Sequence, residues 1–160
     1  MNNVSVHLED TIEVIEEILA GGGEFRMYPR GKSMRPLIVE GRDSVVLARK
    51  PSSELRRYDM VFYRRTNGRF VLHRLMKIEK DGTYTMCGDA QAFLEYGIQS
   101  EQVIGYVRAV YHKERRISLR TPWYWLSVRV WSILLLRRCC MGVKRRIRRL
   151  FRSSRSHEID

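Results

Sequence analysis

The sequence predicts a mainly β fold: a small antiparallel, half-closed barrel, preceded by a helix and followed by a basic, amphipathic helical tail. Three observations carry this. Six short β-type runs follow one another, two Asx-Gly dipeptides separate three of them, and helical spacing of apolar residues occurs only near the two ends of the chain.

Leu8, Ile12, Ile15, Ile18 and Leu19 recur at helical spacing. Glu9, Asp10, Glu13, Glu16 and Glu17 fill the other face, and Gly21-Gly22-Gly23 ends the helix. The pattern predicts a cap packed on the domain by one stripe. The β-type runs are EFRMY, DSVVLA, DMVFYRR, RFVLHRLMKI, TYTMC and QVIGYVRAVY. Asn67-Gly68 separates the third from the fourth, and Asp81-Gly82 the fourth from the fifth. Both dipeptides suit a two-residue hairpin turn, whose central residues both take positive φ. The expected product is a three-stranded meander over about residues 58–87, within a sheet that closes or half-closes to hide its edges. After residue 118, Thr121-Pro122 reads as an N-cap and first helical position, followed by WYWLSVRVWSILLL. A second segment then sets Val143, Ile147, Leu150 and Phe151 on one face, with Lys and Arg around the rest. These changes divide the chain into residues 1–23, 24–118 and 119–160.

The formal charge of +12 is unevenly spread. Residues 1–112 carry 16 basic and 15 acidic groups, whereas residues 113–155 carry 14 basic groups and one acid, Glu114. A near-neutral body thus bears a strongly basic tail, which favours phosphate groups of lipid or nucleic acid. Cys87, Cys139 and Cys140 are too few for a disulfide framework. The N-terminus has neither a cationic start nor an apolar run, so no secretory signal is expected there. No metal-ligand spacing is present, and no cofactor is expected.

Ser33, in RGKSMRPLI, needs a base to become a nucleophile, and the base needs a third group to orient it. Of the four histidines, His7 and His157 lie near the ends, and His112 follows a strand among charges where solvation is expected. His73 sits within a strand, on one face with Val71 and Leu75, opposite Phe70, Leu72, Arg74 and Met76. Asp89 follows the next strand. The Asp81-Gly82 hairpin register sets residues near 73 against residues near 88–90, so His73 and Asp89 fall within a residue or two of one another across the ladder.

The set Gly31-x-Ser33-Met34-x-Pro36, Gly41-x-Asp43, Tyr58-Asp59-x-Val61, Val71-x-His73-Arg74 and Gly88-Asp89-x-Gln91 resembles the type I signal peptidases. It is also similar to the related LexA-type self-cleaving repressors. The likeness spans about residues 24–110. It implies a serine endopeptidase that cleaves a leader or signal-like peptide through Ser33 as nucleophile and His73 as base, as in the histidine-base, endoplasmic-reticulum-type branch. Asp89 matches the family's Gly-Asp aspartate, and an auxiliary acid of that branch falls at Glu95. Lys77, four residues after His73 and expected on the same face, is a second candidate base. The resemblance also implies an extended peptide or preprotein as substrate, bound beside Met34 and Pro36, and an oxyanion donor at the Ser33 N–H. Lys32 stands where relatives often have a small residue, which leaves the second donor unassigned.

Relatives usually carry a membrane helix before the serine, and none is read here. Residues 122–136 would form a helix about 22 Å long, short of the roughly 30 Å hydrocarbon core. Arg129 in its middle costs about 2.5–3.5 kcal/mol on insertion scales, and the apolar residues return about as much. An interfacial helix on an anionic membrane, through residues 121–155, fits better. The expected location is peripheral, on the cytoplasmic face of a bacterial-type membrane, with the outer face left open. Nucleic acid is a poorer partner, since the aromatics are not interleaved with the charges. Two other functions share the fold: a non-catalytic peptide-binding module and a self-cleaving regulator. The second is disfavoured because no DNA-reading helix pair precedes the β domain.

Overall fold

The computed structural model of the chain describes residues 8–119 and 121–133. The second tail segment, Cys139, Cys140, His7 and His157 lie outside the described residues. In chain order the elements are α1 (Leu8–Ala20), β1 (Phe25–Met27), β2 (Asp43–Ala48), β3 (Met60–Arg64), β4 (Phe70–Ile78), β5 (Tyr84–Cys87), β6 (Glu95–Ile98), β7 (Val103–His112), β8 (Arg115–Ile117) and α2 (Pro122–Trp131). The strands form one antiparallel sheet in the order β1-β2-β7-β3-β4-β5-β6, with β8 paired to β7. The sheet is not closed. Its end strands are only three and four residues long, and short edges offer little template for unwanted pairing.

The two faces of the central strands build two apolar clusters. One contains Met60, Phe62 and Leu72 and receives Ile15 and Leu19 from α1, together with Met34 and Ile38 from the loop that carries Ser33. The other contains Val61, Tyr63, Leu75 and Met86. α1 ends in a Schellman pattern, with Gly22 N–H donating to Leu19 C=O at 3.2 Å and Gly23 N–H to Ile18 C=O at 2.9 Å.

The meander of β3, β4 and β5 forms as expected, but its turns differ from the expected type. Among residues of positive φ are Gly68 (82°) and Gly82 (83°), while Asn67 and Asp81 are not. Each loop is a tight turn followed by a left-handed glycine. Gly68 N–H donates to Arg65 C=O at 2.9 Å, and Arg65 N–H to Arg69 C=O at 2.9 Å. The Asx side chains favour this form by accepting from the backbone two residues on: Asn67 from Arg69 N–H at 3.2 Å and Asp81 from Thr83 N–H at 3.0 Å.

A second correction concerns Lys77. The β4–β5 register pairs Leu75 with Met86 but Lys77 with Thr85, so Met76 is the extra residue of a bulge. The bulge turns Lys77 to the face opposite His73. Its side chain is 66% exposed and ion-paired with Glu79, which removes it as a base for Ser33. Strands β6 and β8 were not expected, and β6 brings Glu95 beside Met86.

Candidate active site

Ser33 lies in the turn-rich loop between β1 and β2, and two contacts fix that loop. Met34, 4% exposed, inserts into the larger apolar cluster. Across the loop, Ala90 N–H donates to Ser33 C=O at 2.7 Å. Gly88 makes the approach possible: a Cβ there would stand 2.8 Å from the same carbonyl oxygen. The end of β5 therefore sets the position of a residue more than fifty positions earlier. Among the described residues the Ser33 N–H has no hydrogen-bond acceptor.

His73 is 1% exposed. It pairs with Val61 across the β3–β4 ladder, as Val71 pairs with Tyr63, so Val61, Tyr63 and His73 share a face. Its Nδ1 lies 3.1 Å from Glu95 Oε1 and 3.3 Å from the Tyr63 hydroxyl oxygen. Tyr63 donates its proton to Glu95 Oε2 at 2.8 Å. Both neighbours of Nδ1 are thus acceptors, and the network assigns the ring proton to Nδ1, leaving the lone pair on Nε2. Arg65 completes the cluster, with Nε donating to Glu95 Oε2 at 2.8 Å and a second guanidinium nitrogen on Oε1.

The electrostatics agree with that assignment. Burial lowers the His73 pKa from 6.5 to about 4, against the upward pull of Glu95. The imidazole is neutral at physiological pH. Burial works against the Glu95 charge too, but the bonds from Arg65 and Tyr63 outweigh it and hold the carboxyl below its usual range. Burial and Glu95 push the Tyr63 phenol up, so it remains a donor.

Ser33 and His73 line one cleft of about 450 Å³, whose floor includes Met34 and Ile38. No hydrogen bond joins the two side chains. Pro36 is not among the lining residues. It is exposed and borders a second hollow, with Leu37, Arg74, Asp89 and α2.

Asp89 falls one residue past the position opposite His73, as its spacing predicts. Its carboxylate takes the Arg74 guanidinium in a fork, with Nε–Oδ1 at 2.9 Å and Nη2–Oδ2 at 2.7 Å. The pair is buried, Arg74 at 1% and Asp89 at 3% exposure. Arg74 Nη1 also donates to Tyr58 C=O at 2.8 Å and to the Tyr124 hydroxyl at 3.3 Å, which ties α2 to the sheet. The carboxylate on His73 Nδ1 is therefore that of Glu95, while Asp89 braces the strand end that holds the Ser33 loop. His112 is also not simply solvated: its Nδ1 lies 2.9 Å from the buried Asp43 carboxylate.

Tyr63 and Arg65 were missed as site residues. The two-residue turn expected at Asn67-Gly68 would set Phe62 opposite His73 and turn Tyr63 away; the loop that forms, closed by Arg65 N–H on Arg69 C=O, shifts the register by one residue and brings Tyr63 to the His73 face. Among the described residues no group of three or more His, Cys, Asp or Glu is placed to hold a metal ion.

The arrangement defines a class of site: a hydroxyl and a neutral imidazole on one cleft, with a carboxylate behind the imidazole. No protein-family model, curated protein or solved structure matches the chain.

Proposed function

We propose that the chain is a serine endopeptidase of signal-peptidase type, with Ser33 as nucleophile, His73 as base and Glu95 orienting the base. The observation that supports this most is the His73 environment: Nδ1 is held by a carboxylate, and the same ring lines the Ser33 cleft. His73 Nε2 takes the proton of Ser33 Oγ as Oγ bonds to a peptide carbonyl carbon. The unsatisfied Ser33 N–H is positioned to receive the developing oxyanion. Collapse breaks the C–N bond, and His73 returns the proton to the leaving amine. Water then hydrolyses the ester by the same proton route.

The substrate enters as an extended strand. Residues 70–73 pair with β3 on one side, whereas β5 pairing begins only at Arg74, so among the described residues the other edge of that stretch has no strand partner. The open sheet corresponds in this reading to a half-closed barrel of the signal peptidase and LexA type. Cleavage of a randomised peptide pool by the wild-type chain, lost in Ser33→Ala and in His73→Ala, is the expected result. Equal cleavage by Ser33→Ala ends this reading. The absence of a direct Ser33–His73 hydrogen bond favours one alternative, a non-catalytic module that holds a strand in the same cleft. For that module, Ser33→Ala leaves peptide binding as the only measurable activity in both forms.

The enzyme works at an anionic membrane surface. One face of α2 packs on the body through Val128 and Ser132. The opposite face presents Trp123, Leu126, Val130 and Ile133, 79%, 52%, 48% and 49% exposed, with Arg129 beside them. That stripe at helical spacing, followed in sequence by the basic residues 137–155, suits a helix lying at headgroup depth. Among the described residues no helix is long and apolar enough to cross a membrane. Flotation with anionic liposomes, weakened by salt and by Trp123→Glu, checks the attachment. The cytoplasmic leaflet is the surface that best matches the basic charge.

A further inference from the structure

The cleft carries a charge pattern that the catalytic groups do not use. Arg30, Lys32, Arg65 and Arg69 line it, and no Asp or Glu does. Arg65 is paired with Glu95. The other three are exposed and make no ion pair among the described residues. Glu40 reaches the same loop, its Oε2 accepting from Gly31 N–H at 3.1 Å, but it does not line the cleft. This excess of cations is local, because residues 1–112 as a whole are almost neutral. The basic tail does not supply it either.

The placement gives the cations a direction. Arg30 and Lys32 lie three residues and one residue before Ser33 on one wall. Arg69 lies four residues before His73 on the other wall, a span of about 13 Å at strand rise. A peptide extended along residues 70–73 passes between these walls. We infer that the cleft selects peptides bearing Asp or Glu within about four residues of the scissile bond, so that the substrate class is an acidic leader or linker segment. This inference rests on the peptidase reading above.

Mass spectrometry of a digested, randomised decapeptide pool locates the cleaved bonds and their neighbours. The expected result is enrichment of Asp and Glu by about fivefold within about four residues of those bonds, as several exposed ion pairs would give. The enrichment disappears in about 1 M salt, and Arg69→Glu shifts it toward Lys and Arg. Cleavage without acidic enrichment overturns the inference and leaves the peptidase reading standing. If the pool is not cleaved at all, the peptidase reading fails. Equilibrium binding of the same pool then decides the charge preference: an acid-enriched bound fraction supports it, and an unbiased one overturns it. Displacement of bound peptide by an oligonucleotide at matched charge would assign the cations to nucleic acid and also overturn it.

Discussion

Two arginine–carboxylate pairs sit on neighbouring parts of this sheet, and their surroundings differ. Arg74 and Asp89 are sealed beneath α2, each side chain at most 4% exposed. Their fork is bidentate, and the remaining Arg74 nitrogen reaches Tyr58 and Tyr124. Arg65 and Glu95 are more open, with side chains 28% and 14% exposed, and Glu95 also meets Tyr63 and His73. A buried, bidentate pair braces the elements it joins. A pair whose carboxylate also reaches an imidazole can orient that imidazole. The comparison teaches that an acid's sequence position beside a histidine is a poorer guide to its role than which cation reaches it first.

The largest effect that would break this contrast is kinetic. Glu95→Gln removes the charge behind Nδ1, and kcat in peptide cleavage should fall by on the order of 10³–10⁴, as when a triad carboxylate becomes an amide. Its urea midpoint should move little. Asp89→Ala should do the reverse in kind: it leaves Arg74 buried without its partner and should cost about 3–5 kcal/mol in urea unfolding. Replacing both members with apolar residues, Arg74→Met with Asp89→Leu, should recover most of that loss. A Glu95 variant that unfolds the protein, or an Asp89 variant that is stable but inactive, would exchange the two roles.

Gly88→Ala sharpens the contrast on a smaller scale. The new methyl would press on the Ser33 carbonyl, and a shift of that loop should cost about 1–3 kcal/mol while lowering kcat/KM. The smallest expected effect is in the acid limb of the pH profile. Burial holds the His73 pKa at about 4, so the neutral base persists at higher pH, and kcat/KM should fall as pH drops through about 4. Folding follows the same sign. The unfolded chain takes up the His73 proton near 6.5 and the folded chain only near 4, so this group lowers stability as pH falls across that window. Glu95 raises the His73 pKa against burial, so Glu95→Gln should move the acid limb to lower pH. An unmoved limb would mean that another group is titrating.

Much of the architecture was legible in local signals. The β3–β4–β5 meander follows from strand-length apolar runs divided by Asn-Gly and Asp-Gly, and both helices have readable ends at Gly21-Gly22-Gly23 and Thr121-Pro122. The turn type was misread because Asn67 and Asp81 satisfy a backbone N–H with their side chains and stay out of the left-handed region. The bulge at Met76 was invisible, since a register shift depends on how β5 packs against β4 and not on the β4 sequence. β6 was hidden by its length and by Gly97, which interrupts any alternation. With β6 unseen, Glu95 had no strand to place it, and Asp89 was the acid that spacing offered to His73. The cleft shared by Ser33 and His73 is of another kind: only tertiary contacts, the Met34 anchor and the Ala90 N–H bond, fix the loop that forms part of its lining.

The hydrogen bond from Ala90 to Ser33 has a temporal side. During synthesis the serine and the histidine both leave the ribosome well before the residues that clasp the one and steer the other. A growing chain that ends short of Glu95 has the Ser33 loop and the His73 ring but lacks the carboxylate that meets Nδ1. The polar cluster around His73 is therefore complete only once β6 has been made.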